Sequence, residues 1–201
     1  MPKFGMQPIR RAQILDAAFD SIAKRSLEGT RMRNIAEAAG VSQPSLHYYF
    51  NTKDKLIVAL LDRLLAEFRA EREEQLAAAE GPLARLRVML AHQKQFIVEK
   101  SDTFEVYYDF WVQATKRPSV GDKIRQMNSG WRAVIREVLD DGVRSGIFRA
   151  DRVKMAPAIL VSILQGAALQ YILDPEEFDL DLYFEQAEEY LIHFLGTGSS
   201  D

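Results

Sequence analysis

Apolar residues recur at helical spacing along almost the whole of this 201-residue sequence. A first stripe is formed by Ile14, Leu15, Ala18 and Ile22, which fall on one face of a helix with 3.6 residues per turn. Alternation of apolar and polar residues, the pattern of a half-buried strand, does not occur. The sequence therefore predicts an all-α fold of about nine helices.

Helix-breaking and capping residues divide this pattern. The Gly-Pro pair at 81–82 ends a long helix, because proline lacks an N–H and clashes with the preceding turn. Asp179 is expected to cap the last helix, and Gly146 and Gly196 to end helices in the left-handed conformation. Pro157 is expected to kink its helix or delay its start. The later helices are predicted at about 83–99, 103–115, 120–145, 152–173 and 180–195.

The composition excludes several classes of protein. There is no cysteine, which excludes disulfide scaffolds, zinc–thiolate sites, iron–sulfur clusters and cysteine nucleophiles. No apolar run approaches the roughly 18 residues that span a bilayer, and the N-terminus lacks the apolar stretch of a signal peptide. We expect a cytoplasmic protein without membrane contact or cofactor. The three histidines show no metal-binding spacing, so no metal site is expected, and His92 is interpreted as a surface or packing residue.

The charge is unevenly distributed. Residues 1–55 contain nine Lys and Arg against five Asp and Glu, whereas residues 56–201 contain 17 against 24. A basic segment on an otherwise acidic chain favours an N-terminal module that meets an anionic partner.

The segment 30–55, TRMRNIAEAAGVSQPSLHYYFNTKDK, is the most informative. Thr30 is expected to cap a short helix, after which Gly40 takes a positive φ in a tight turn. Ser42 then caps a second helix, with Pro44 in its first turn and Leu46 facing inward. Two short helices joined in this way form a helix-turn-helix, whose second helix can enter the DNA major groove.

The polar residues that begin the second helix suit base recognition. Gln43 can pair bidentately with adenine, Ser45 can bond either kind of base edge, and Pro44 can contact a thymine methyl. Similar helix pairs also occur in proteins that do not bind DNA. A helical small-molecule carrier or enzyme with purely structural N-terminal helices is therefore a second interpretation, and an architectural DNA binder without sequence preference is a third.

The block IAEAAGVSQPSLHYYFNTKDKL resembles the DNA-binding signature of TetR-family transcriptional regulators, and with its preceding helix the likeness covers about residues 8–60. The opening MPKFGMQPIRR is similar to that of the choline/betaine-responsive repressors of this family. The resemblance implies a helix-turn-helix DNA-binding domain over residues 1–55 and a ligand-sensing and dimerisation domain over 56–201. It implies a homodimer built on the last two helices, without enzymatic activity. Such a repressor binds a palindromic double-stranded operator and is released by a small-molecule effector, although the residues do not fix the sign of regulation.

By position, the resemblance implies two sets of DNA contacts. Pro44 and His47 depart from the commonest residues at their positions, so the operator sequence is not predictable. The base-facing set is Gln43, Pro44, Ser45, His47 and Tyr48. The backbone-facing set is Thr30, Arg31, Arg33, Ser42, Tyr49 and Lys53.

Aromatic residues at helical spacing in the C-terminal part favour an apolar ligand pocket with a few polar anchors. Rings flanked by Glu105 and Asp109 could enclose a quaternary ammonium ion by cation–π attraction. Plain core packing is the alternative explanation of such a stripe. The predicted pocket residues are Gln93, Phe104, Tyr107, Tyr108, Trp111, Met127, Trp131 and Gln165.

The last two predicted helices mix small and large apolar residues on one side, which allows close helix packing. Two such helices from each subunit would form a four-helix dimer interface, unless the same faces only cover the core of the monomer. The residues concerned are Ile159, Ile163, Gly166, Ala167 and Gln170, then Tyr183, Ala187, Tyr190, Leu191 and Phe194.

Overall fold

The computed structural model describes residues 7–196, which form nine α-helices and no β-strand. The predicted all-α fold is confirmed, while the predictions for the first six residues and for the tail after Gly196 lie outside the described residues. The helices are α1 Gln7–Gly29, α2 Met32–Ala38, α3 Gln43–Tyr49, α4 Lys53–Ala77, α5 Pro82–Glu99, α6 Ser101–Ala114, α7 Pro118–Arg144, α8 Ala156–Leu173 and α9 Leu180–Leu195.

The chain folds into two compact units. Unit 1 comprises the chain up to Glu67 together with Asp102–Arg125, and unit 2 comprises Phe68–Ser101 together with the chain from Gln126 onward. Both α4 and α7 therefore contribute to each unit. The division by function, 1–55 for DNA binding and 56–201 for sensing and dimerisation, stays a prediction.

The core of unit 1 joins the first four helices to parts of α6 and α7. The α1 stripe of Ile14, Leu15, Ala18 and Ile22 is buried, as predicted. Removing a large apolar side chain such as Ile14 from water stabilises a fold by about 1.5–3 kcal/mol. The same cluster includes residues from beyond the helix-turn-helix segment, namely Val106, Phe110, Val120 and Ile124.

In unit 2, α5 packs on α8 and α9, and α8 packs on α9. Pro157 lies in the first turn of α8, so the predicted late start is confirmed. Gly146 has the predicted positive φ, 74°. The same prediction for Gly196 is wrong, since its φ is −66°. Gly196 is extended because it pairs with Phe148 in an isolated antiparallel bridge.

Helix α8 carries no charged residue in 18 positions and has a mean hydropathy of 1.6. By length and composition alone it is the one described helix that could cross a membrane, a test that the buried core helix of a protein outside membranes also passes. The polar residues Ser162, Gln165 and Gln170 interrupt the run in the sequence without removing its apolar character. In unit 2 this helix packs against α5 and α9.

Candidate nucleic-acid interface

The turn between α2 and α3 has the predicted local chemistry. Gly40 adopts φ 62°, and the Ser42 hydroxyl accepts a hydrogen bond from the Ser45 amide at 3.3 Å. Pro44 occupies the first turn of α3, where its missing N–H costs little. These contacts fix where α3 begins, and thus which of its side chains face outward.

Helix α3 buries one side and exposes the other. Leu46 and the following Phe50 lie in the core of unit 1, whereas Ser45 is half-buried. The outward side, here called the exposed face of α3, consists of Gln43, Pro44, His47 and Tyr48.

Tyr48 projects from this face, with 67% of its surface exposed. Its hydroxyl accepts a hydrogen bond from the Gln7 side-chain amide at 3.1 Å, and its ring meets that of Tyr49 edge-on at 5.3 Å. Tyr49 is half-buried against the core. The start of α1 therefore helps to orient Tyr48, a contact that no local sequence signal indicated.

Thr30 does not have its predicted role. Arg31 occupies the N-cap position of α2, and no side chain caps that helix. Thr30 is only 1% exposed, and its hydroxyl donates to the carbonyls of Ser21 and Ser26 at 2.9 and 2.8 Å. The hydroxyl of Thr30 is thus bonded to the backbone of α1, and Thr30 is left out of the interface proposed below.

Lys53 is also engaged inside unit 1. Its ammonium donates to the carbonyl of Leu27 at 2.6 Å and to that of Glu28 at 3.5 Å. Burial, followed by the nearby charge of Arg117, lowers the pKa of Lys53. The structure thus shows an intramolecular use for a side chain that was predicted to contact phosphate.

Several other cations of unit 1 are exposed. Arg33 forms a loose ion pair with Glu37 at 3.6 Å, whereas Arg31 forms none within the described part of the chain. Lys24, Arg25 and Lys55 are exposed as well, although the sequence reasoning did not single them out. Exposed Lys and Arg beside a recognition helix are the groups that hold DNA phosphates.

The predicted pocket residues are divided between the two units. In unit 1, Phe104 lies 6.4 Å from the rings of both Tyr107 and Tyr108, and the Trp111 indole donates to the Tyr107 hydroxyl at 2.7 Å. The remaining four, Gln93, Met127, Trp131 and Gln165, belong to unit 2.

The two carboxylates predicted to flank the α6 rings, those of Glu105 and Asp109, differ in their surroundings. Asp109 accepts a hydrogen bond from the backbone N–H of Leu27, while Glu105 is exposed. The carboxylate of Asp109 is therefore used to hold α1 within unit 1.

In unit 2, an aromatic cluster surrounds Phe68. The ring centroids of His92, Phe96 and Trp131 lie 4.9, 4.7 and 5.2 Å from that of Phe68. Burial, with a smaller effect of the Arg72 charge, lowers the pKa of His92 to about 4. His92 is thus a packing residue, which is one of the two interpretations that the sequence allowed. Of the predicted polar anchors, Gln165 donates to Asn128 at 3.1 Å, and Gln93 is buried.

Part of the predicted dimer face is exposed. Tyr190 is 73% exposed, and Ile159 and Phe194 are also accessible, whereas Ala167 and Leu191 are buried in the core of unit 2. A Cβ added at Gly166 would meet no atom within 4 Å. A groove of about 410 Å³ runs along this face, lined by Ile159, Ile163, Tyr183, Gln186, Ala187, Tyr190, Leu191 and Phe194.

Comparison with known families agrees with this geometry. Residues 14–60 match the bacterial regulatory proteins of the tetR family. Residues 82–196, more than half of the chain, match the C-terminal region of BetI-type transcriptional repressors. This chain belongs to the TetR family. The TetR-family match at 14–60 contains the whole of α2 and α3 and most of α1, and the match at 82–196 identifies the chain as a transcriptional repressor.

Individual transcriptional regulators match over nearly their whole length. The HTH-type transcriptional regulator BetI of Burkholderia mallei (strain NCTC 10229) is 28% identical over 200 residues, covering 97% of this chain and 98% of its own. A transcriptional regulator from Saccharomonospora viridis, solved in complex with choline, superposes with a TM-score of 0.86 at 21% identity, covering 96% of this chain and 100% of its own. A TetR transcription regulator from Haloarcula marismortui superposes with a TM-score of 0.83 at 24% identity, covering 94% of this chain and 99% of its own. These structural likenesses show the fold.

Proposed function

We propose that this repressor binds a palindromic DNA operator as a homodimer, with the exposed face of α3 in the major groove of each half-site. The observation that carries the proposal is the direction of α3: Leu46 and Phe50 anchor it from behind, while Gln43, His47 and Tyr48 are exposed. Helix-turn-helix dimers read half-sites about 34–36 Å apart.

The phosphate contacts are assigned to polar side chains near α3 that are at least partly exposed. Arg31 and Arg33 at the start of α2 are exposed, and Ser42 and Tyr49 flank the exposed face of α3. Phosphate contacts set the register on the duplex, and base contacts supply the specificity.

The dimer is proposed to form through α8 and α9. Large apolar side chains exposed together, such as Tyr190, Ile159 and Phe194, are typical of a surface that a partner covers. The open space over Gly166 allows a second helix to approach closely.

A small-molecule effector is proposed to release the operator. The C-terminal match to BetI-type repressors and the choline complex of the Saccharomonospora viridis protein support a ligand site in the C-terminal part. An effector shifts the protein between two geometries only through its unequal affinity for them. Because the partner is chromosomal DNA, the protein is proposed to work in the cytoplasm and without catalysis.

The experiment is a binding titration with DNA taken from beside the gene, compared with random DNA of equal length. Gln43→Ala and His47→Ala should each weaken binding to the specific DNA by about 5- to 150-fold, the loss of one good base contact, and leave random DNA binding unchanged. Gln126→Ala, at an exposed position of α7, is the matched control. Equal affinity for both DNAs in the wild type would contradict the proposal.

A further inference from the structure

The start of α1 contacts the end of α3 at two places. The side-chain amide nitrogen of Gln7 donates a hydrogen bond to the Tyr48 hydroxyl at 3.1 Å, and the Arg11 guanidinium carbon lies 5.1 Å from the centroid of the Phe50 ring. Gln7 and Arg11 are four residues apart, so both project from the same face of α1. Since Ile14 anchors the next turn of α1 in the core of unit 1, this face is held beside α3.

The ring of Tyr48 has a second support. It meets the ring of Tyr49 edge-on, with the centroids 5.3 Å apart and the planes at 88°, and Tyr49 packs against the core of unit 1. Tyr48 nevertheless keeps 67% of its surface exposed. A side chain that is already held in place loses less conformational entropy when it binds a partner.

The hydrogen bond from Gln7 fixes the direction in which the Tyr48 hydroxyl can donate. A phenol has a single O–H donor, and its oxygen can also accept. Because the N–H of Gln7 points at a lone pair of this oxygen, the hydroxyl proton is directed away from Gln7. No other hydrogen bond to this hydroxyl occurs among residues 7–196. Tyr48 therefore presents an O–H donor on the exposed face of α3.

We propose that Gln7 is a positioning residue for DNA recognition, which makes Tyr48 a hydrogen-bond donor that selects guanine or thymine at one position of each half-site. In the major groove guanine presents O6 and thymine O4 as acceptors, whereas adenine and cytosine present amino donors at N6 and N4. A donor aimed at these groups therefore separates the first pair of bases from the second. The inference rests on the proposed function, because it requires α3 to lie in the major groove.

This role can be separated from a contribution to folding. The hydrogen bond between Gln7 and Tyr48 lies at the surface, where water can replace either partner, so its loss should change stability little. The base preference depends instead on whether residue 7 donates to the hydroxyl or accepts from it.

The test compares three substitutions of Gln7 in the full-length protein. A carboxylate only accepts hydrogen bonds, so in Gln7→Glu the Tyr48 hydroxyl should donate to residue 7 and turn its lone pairs towards the DNA. An ammonium only donates, so Gln7→Lys should keep the wild-type preference while its charge strengthens binding to every sequence. Gln7→Met does neither and leaves the hydroxyl free to rotate.

Fluorescence anisotropy measures binding to the DNA sequence that the wild-type protein selects and to each of its single-base-pair variants. At one position the wild type and Gln7→Lys should prefer guanine or thymine by about 2- to 12-fold, the contribution of one hydrogen bond. Gln7→Glu should prefer adenine or cytosine there by a similar factor, and Gln7→Met should discriminate less than about twofold. The four proteins should melt within about 2 °C of one another.

Two further variants separate the hydrogen bond from the added charge. Pro8→Glu places the same charge at the exposed neighbouring position, and it should weaken binding to all sequences without changing the base preference. In Tyr48→Phe, which lacks the hydroxyl, Gln7→Glu should no longer alter the preference.

The same base preference in Gln7→Glu and Gln7→Lys, or a change that persists in the Tyr48→Phe background, would overturn this inference and leave the proposed function standing. A wild-type protein that selects no DNA sequence would refute the proposed function, and the inference with it.

Discussion

The ammonium of Lys53 donates a hydrogen bond to the carbonyl oxygen of Leu27 across 2.6 Å. The N–H of the same Leu27 donates to the carboxylate of Asp109, directly after Ser26 leaves helical geometry with φ 62°. The backbone of Leu27 thereby joins the end of α1 to α4 and α6 within unit 1. The position of the helix-turn-helix is thus tied to helices outside it.

Lys53→Met should destabilise the protein by about 1–3 kcal/mol, because the carbonyl of Leu27 is left without its donor in a partly buried place. The dependence of DNA affinity on salt should stay as in the wild type.

Arg31→Gln should instead change DNA binding and not stability. It should reduce the slope of DNA affinity against salt by about one if its side chain binds one phosphate, while leaving the free energy of unfolding within about 0.5 kcal/mol of the wild type.

Denaturant unfolding and fluorescence anisotropy over a series of salt concentrations measure the two effects. A reduced salt slope in Lys53→Met would restore Lys53 to the phosphate-binding set in which the sequence placed it.

Tyr190→Asp should convert the proposed dimer into monomers, because it places a charge in the centre of an apolar face. Val112→Asp is the matched control, since Val112 is similarly exposed, at 63%, but lies on α6. Sedimentation velocity at micromolar protein distinguishes the species. A Tyr190→Asp protein that sediments with the wild type would show that α8 and α9 do not form the interface.

His92 should make the protein less stable in acid. Its pKa is about 4 in the folded chain and 6.5 ordinarily, so the unfolded chain binds the proton more readily below pH 6.5. Stability relative to His92→Phe should therefore fall between pH 7 and pH 4, by about 3 kcal/mol, and be constant above pH 7. Urea unfolding at several pH values measures this difference, and parallel profiles of the two proteins would contradict it.

The sequence predicted best those features that depend on neighbouring residues. Gly40, Ser42 and Pro44 act within one turn of chain, so their roles could be read directly. Thr30 and Lys53 bond to backbone carbonyls near the end of α1, and Gly196 is extended through a distant partner.

Arg72 is a residue whose place the sequence pattern did indicate. It lies in the charged run AEREEQ, which is typical of a solvated helix face. The structure buries it because it lies one turn from both Phe68 and Leu76, on the apolar side of α4. That spacing separates Arg72 from the exposed Arg69.

Selection of bound DNA from a random pool by the full-length protein tests DNA recognition through α3 most directly. The selected sequences should share an inverted repeat, with half-sites about one helical turn apart, and Gln43→Ala should change the bases preferred within each half-site. A pool that stays random after selection, or a motif that is identical in the wild type and in Gln43→Ala, would contradict recognition through the exposed face of α3.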